Sequence, residues 1–185
     1  TTSKVNIYVN TLDLTGTSYK GTLVITESLT VTFPEGTTPA WTVASGVDGH
    51  QVGYTESVAN GVVTRVYTSF IPVAQVGEKY YATLEDAIAA ATSSNAIIVL
   101  KDIEASEVIL INKTLTIKGD GHKITSSANR IFRVTESNIN VTLEDVNMVS
   151  SAVVQYPNDI RGVSIDNETE KVRLTLTNCT VDFTD

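Results

Sequence analysis

The stretch that decides the fold is VGEKYYATLEDAIAAATSSNAIIVLKDI at residues 76–103, with its sequel ILINKTLTIKGDGHKIT at residues 109–125. Thr83 and Asp86 stand as a Thr-x-x-Asp capping box, and Leu84, Ala87, Ile88 and Ala91 follow at i, i+3, i+4, i+7 spacing. This predicts a helix over about residues 84–91, the one convincing helix in the chain. Ser93, Ser94 and Asn95 end it. The run AIIVL at residues 96–100 is uninterrupted and apolar, as expected of a strand buried on both faces.

Downstream, short strand patterns follow one another with no helical period between them, at residues 107–111, 115–117, 122–125, 131–134, 141–143, 146–148, 163–165, 174–176 and 180–183. VTLEDVNM at residues 141–148 aligns with LTLTNCTV at residues 174–181, an interval of about 33 residues, and other strand pairs repeat at about 20 to 25. Two-residue turn signals are absent between most of these strands, so the pattern predicts a solenoid with loops of variable length rather than a hairpin meander. Leu115, Ile117, Ile124, Val141, Leu143, Val146, Leu174, Leu176 and Val181 are the residues expected to point inward and stack. Gly119 and Gly121 are expected to let the backbone turn a tight corner.

The capping helix, the apolar strand and the Gly-x-Gly corner, in that order, resemble the start of pectate-lyase-like right-handed parallel β-helix proteins, many of them secreted or displayed by bacteria. The resemblance covers about residues 76–185 and is strongest over 76–124. It implies an all-β fold, a β-helix with an N-terminal capping helix over residues 74–185, and a secreted or cell-surface setting. Lyases, hydrolases, tailspike-like depolymerases and adhesins share this beginning, so the resemblance speaks to fold more than to function. A solenoid's first rung exposes an apolar cross-section, and the Leu84/Ala87/Ile88/Ala91 face is suited to covering it.

Upstream, strand patterns occur at residues 5–9, 21–25 and 29–33; Pro34 to Gly36 reads as a turn, with irregular chain up to Trp41. Asn60-Gly61 between two alternating runs predicts a type I′ hairpin over residues 52–70. A boundary near residue 73 sets residues 1–73 apart as a small β-rich unit. It reads either as the last rungs of a preceding β-helix, the favoured reading because its strands are short and flanked by Thr and Asn, or as a small sandwich.

The chain carries 21 acidic against 13 basic residues, a net charge of −8. That balance argues against nucleic acid and anionic membrane surfaces as partners. No apolar run approaches the length of a membrane span. Cys179 is the only cysteine, so it reads as a small core residue, with no intrachain disulfide or cysteine metal cage. The abrupt first and last residues suggest a piece of a longer protein, with a truncated solenoid.

A lyase of the resembled class needs carboxylates gathered on one outer face to hold Ca²⁺ and a basic residue to take a proton. Asp145, Asp166 and Asp182 are the candidate ligand-binding carboxylates, and Arg130, Arg133, Arg161 and Arg173 the candidate bases or anchors. Glu144 and Asp145 are adjacent, and strand neighbours point to opposite faces. Asp120 and His122 flank Gly121, where local turn hydrogen bonds are the expected role. Sugar binding asks instead for exposed aromatics, for which Trp41, Tyr54, Tyr67, Tyr80, Tyr81 and Tyr156 are candidates. Tyr156 leads because QYPND at residues 155–159 reads as a protruding loop. The pair Tyr80-Tyr81 is expected to pack the cap. Apart from Ca²⁺, no cofactor is called for. The expected function is a non-catalytic stalk-like or adhesin-like module that contacts a polysaccharide or host-surface glycan; the alternative is a fragment of a β-helical polysaccharide lyase or glycoside hydrolase.

Overall fold

A computed structural model describes residues 9–16, 19–152, 160–166 and 168–183. The fold is all-β: strands account for 53% and helix for 4%, a single short helix. The chain divides into two compact units, residues 1–71 and 72–185.

In the first unit β1 (Thr11–Asp13), β2 (Thr22–Ile25), β3 (Ser28–Pro34) and β4 (Thr42–Ser45) alternate between two sheets. β1 pairs with β3 and β2 with β4, both in parallel. β5 (Gln51–Ala59) and β6 (Val62–Phe70) then form the predicted hairpin, with Asn60 and Gly61 at φ 52° and 75°, the two positive values a type I′ turn requires. β6 lies antiparallel on β3, giving the sheet order β1-β3-β6-β5. Leu29, Val31 and Phe33 alternate with half-buried or exposed partners along β3 and pack with Leu23, Ile25, Trp41, Val63 and Tyr67. The stretch up to Trp41, read as irregular, leads straight into a strand, because Thr42 to Ser45 find their ladder in β2, twenty residues back. The strand expected at residues 5–9 lies outside the described residues except for its last position.

The second unit opens with the hairpin β7 (Ala74–Val76) and β8 (Lys79–Tyr81), followed by α1 (Leu84–Ala90). Thr83 Oγ1 accepts from the Asp86 N–H at 3.1 Å and donates to Asp86 Oδ2 at 2.7 Å, so the box closes side chain to side chain at the N-terminus. Leu84, Ala87, Ile88 and Ala91 are buried as expected.

From there the chain runs through β9 (Ile97–Val99), β10 (Ile103–Ala105), β11 (Ile109–Ile111), β12 (Leu115–Lys118), β13 (Lys123–Ser126), β14 (Arg130–Val134), β15 (Asn140–Glu144), β16 (Asn147–Ser150), β17 (Arg161–Ile165), β18 (Arg173–Thr177) and β19 (Thr180–Phe183). Among the described residues, successive strands pass through three sheets in rotation: β9-β12-β15-β18, β10-β13-β16-β19 and β11-β14-β17. Every pairing within these series is parallel. β7 pairs antiparallel with β9, laying the hairpin on the first edge. The aligned octads sit in register as strand neighbours, Val141 beside Leu174 and Met148 beside Val181.

Inward columns such as Ile97–Ile117–Leu143–Leu176 and Ile103–Ile124–Met148–Val181 form the core. Its middle members are fully buried, but Leu176 and Val181 are 48% and 43% exposed, against the expectation for them. They belong to the last strand of their sheets among the described residues, so nothing lies over them on one side. Leu174 and Cys179 are half-buried for the same reason. Ile98 is half-buried too, because outward positions of β9 are not covered as fully as its inward ones.

The corners repeat their backbone. Asp145 and Asn178 follow the registered pair Glu144 and Thr177 with φ 52° and 51°, and Asn138 and Lys171 precede Asn140 and Arg173 with φ 59° and 55°. At Gly119 a Cβ would lie 2.3 Å from the Asp145 carbonyl oxygen, so this corner needs glycine for close approach.

Candidate functional site

The three candidate carboxylates are not brought together. Asp145 is the exposed left-handed residue of the corner between β15 and β16, and its backbone is engaged: its N–H donates to the Thr177 carbonyl at 2.9 Å and its carbonyl accepts from Gly121 N–H at 3.2 Å. Asp166 follows β17 and receives Arg133 Nε at 2.6 Å and Nη2 at 3.1 Å on its two oxygens. This fork holds the Arg133 guanidinium above its ordinary pKa and gives Asp166 a structural partner. Asp182 is exposed on β19, beside Val149 of β16. Among the described residues no group of three or more His, Cys, Asp or Glu side chains is placed to hold a metal ion.

The arginines are scattered likewise. Arg130 and Arg161 are registered neighbours on β14 and β17, whereas Arg173 stands beside Asn140 at the start of β18. Glu144 pairs with Lys118 at 2.9 Å on the outer face of the first sheet. At the Gly-x-Gly corner, Asp102 Oδ1 accepts from the Lys123 N–H at 2.9 Å and faces His122 Nδ1 at 3.4 Å. The backbone hydrogen bond, with His122 alongside, keeps the Asp102 carboxyl below its ordinary pKa. His122 N–H closes the turn on the Gly119 carbonyl at 2.9 Å, and Asp120 takes a left-handed φ of 52°.

The aromatic candidates separate by burial. Trp41 and Tyr67 are core residues rather than platforms: Trp41 Nε1 donates to Tyr67 Oη at 3.0 Å, and Phe33 meets the indole edge-on at 5.2 Å. Tyr81 is half-buried against the second unit's core, while Tyr80 beside it is exposed. Tyr156 lies outside the described residues. Tyr54 is the exposed ring among the described residues of the first unit, at 57%.

Around Tyr54 the hairpin builds a cluster that belongs to two strands at once. The turn at Asn60-Gly61 sets Glu56 beside Arg65 and Tyr54 beside Tyr67 on one face of β5 and β6. Arg65 donates from Nε to Glu56 Oε2 at 2.9 Å and from Nη1 to Tyr67 Oη at 3.2 Å. Its Cζ stands 4.3 Å from the Tyr54 ring centroid and 5.2 Å from that of Phe33. Partial burial alone would lower the Arg65 pKa, but the hydrogen bonds it donates to Tyr67 and Glu56 outweigh that and raise it. The guanidinium is therefore a fixed, charge-neutralised support under one face of Tyr54. Sequence reading named Tyr54 and missed Glu56 and Arg65. The signal was present, since Tyr-x-Glu and Arg-x-Tyr are mirror images about the Asn60-Gly61 turn.

On the same unit His50 Nδ1 and Ser69 Oγ share a hydrogen bond of 3.0 Å. No helix among the described residues is long and apolar enough to cross a membrane. Comparison of the chain with family models, with curated proteins and with solved structures finds no match.

Proposed function

We propose that residues 72–185 form a right-handed parallel β-helix of the pectate-lyase-like kind, and that the chain is a non-catalytic, stalk-like or adhesin-like module of a secreted or cell-surface bacterial protein that contacts glycans. The observation that carries this reading is the rotation of the strands β9 to β19, eleven among the described residues, through three parallel sheets behind a capping helix and hairpin. Such an array is stiff along its axis, because each strand is tied to its neighbours above and below by a continuous ladder. The non-catalytic part rests on placement: Asp145 serves a corner, Asp166 holds Arg133, and Asp182 stands on another sheet.

Two measurements test it. A crystal structure of the chain is expected to show right-handed winding, and left-handed winding or a closed sandwich overturns the fold assignment. Incubation with polygalacturonate and Ca²⁺ is expected to yield neither unsaturated product absorbing in the ultraviolet nor new reducing ends. Product formation that is abolished by Asp166→Asn would replace the stalk reading with an enzyme.

A further inference from the structure

We infer that the exposed face of Tyr54, flanked by Glu56 and Arg65 on the β5–β6 hairpin, is a binding subsite for a neutral hexopyranoside. This inference rests on the glycan-contacting part of the proposed function and gives it a place and a ligand class.

A tyrosine that is 57% exposed on a nine-residue strand is not serving the core, yet Tyr54 is held in place. Arg65 lies over one face at 4.3 Å, and the Tyr67 ring stands 5.6 Å away at a tilt of 59°. Arg65 is itself fixed by Glu56, by Tyr67 and by its place over the Phe33 ring, so the support beneath Tyr54 does not have to be ordered when a ligand arrives. With Arg65 over one face and the residue 57% exposed, the uncovered part of the ring is a pre-oriented apolar surface to which the C–H face of a pyranose can stack.

One polar side chain, Glu56, stands two residues from Tyr54 on the same face of β5. Both hydrogen bonds from Arg65 to Glu56 go to Oε2, leaving Oε1 as an acceptor for a sugar hydroxyl. Charge selects the class. The Glu56–Arg65 pair is neutral as a unit, and among the other described residues of the first unit Lys20 stands against Asp13, Glu27, Glu35 and Asp48, so a uronate, sialate or sulfate would meet net repulsion. The occupant that fits is a hydroxylated, uncharged hexose with an apolar face.

Isothermal titration with cellohexaose, maltohexaose, β-1,4-galactohexaose and hexagalacturonate tests this on the intact chain. At least one neutral hexasaccharide is expected to bind; hexagalacturonate is not. Tyr54→Ala is expected to weaken that binding about tenfold or more, and Tyr54→Phe to leave it within about twofold, because stacking needs the ring and not the hydroxyl. Fluorescence of Trp41, the chain's single tryptophan, checks that each variant's first unit is folded. Should Tyr54→Ala unfold it, nitration of the unsubstituted protein replaces the variant: the bound sugar is expected to protect Tyr54 and not the exposed Tyr80. Binding by no neutral sugar, binding of hexagalacturonate alone, or binding indifferent to Tyr54 by both readouts overturns the subsite. Those results leave the winding and product tests of the second unit untouched, so failure of the subsite is distinguishable from failure of the stalk.

Discussion

The two units solve one problem in different ways. Both contain parallel ladders made by a chain that returns to the same sheet after visiting another, and a parallel ladder ends in an open edge. In the first unit the parallel pair β1–β3 is closed on one side by an antiparallel hairpin added after it, β6 and then β5. In the second, the antiparallel hairpin β7–β8 comes before the parallel strands and lies on β9, with α1 over the apolar end. A hairpin is therefore the common terminator. What differs is depth: the chain alternates between two sheets in the first unit, with one long edge strand, and rotates through three in the second, whose middle strands carry fully buried residues.

That difference in depth gives the largest expected effect. Leu143→Ala, in the middle of a column, is expected to cost about 3 kcal/mol in urea unfolding followed by far-ultraviolet circular dichroism, whereas Leu176→Ala at the same register one rung on is expected to cost less than about 1 kcal/mol. Equal costs would break the distinction between supported and unsupported rungs. Trp41 fluorescence reports the first unit, so a fluorescence transition displaced by Leu143→Ala would show the two units unfolding as one.

Next comes the corner. Gly119→Ala places a methyl against the Asp145 carbonyl and the Val146 Cα and is expected to cost about 2 kcal/mol, visible in the second unit alone. Lys171→Asn is expected to raise stability by about 0.5 kcal/mol, because Lys171 occupies the left-handed conformation that its registered counterpart Asn138 adopts at less cost.

The smallest effect compares one exposed carboxylate in each unit. Asp13 is held below its ordinary pKa by the Thr15 N–H and hydroxyl and the Thr32 hydroxyl, and Asp102 by the Lys123 N–H with His122 alongside. A carboxyl whose folded pKa is depressed adds stability that is present above its unfolded pKa, near 3.8, and is lost as pH falls through the folded value. Asp13→Asn is expected to flatten the acid limb below about pH 4 for the fluorescence transition, and Asp102→Asn to flatten it for the dichroism transition; exchanged effects would contradict the assignment of each carboxylate to its unit.

What the sequence made legible was local. Asn60-Gly61 named its turn, Thr83 and Asp86 named the helix start, and the octads at residues 141 and 174 were found as neighbours because both strands and the corner between them repeat without a gap. Three-residue strands such as β1, β7, β8 and β10 were not legible. Three residues hold barely one alternation, and these strands exist because a partner distant in sequence offers its ladder, as Ile124 to Ser126 do for Ile103 to Ala105. The aromatic site was half legible for a related reason. Strand parity puts Tyr54 and Tyr67 on one face, but parity does not say that β6 is interior and β5 the edge, which is what buries one ring and exposes the other.

The corner at residues 119–122 carries one further consequence. Between Lys118 and Lys123 the chain uses four residues, while the registered corners after Glu144 and Thr177 use two, and the strands on both sides stay in step. Ladder hydrogen bonds, not loop length, keep these strands in register. The second unit thus behaves as a ruler whose marks stay fixed while material is added between them: a short peptide grafted between Asp120 and Gly121 would be held at a set point between β12 and β13, with the ladders on both sides keeping their register.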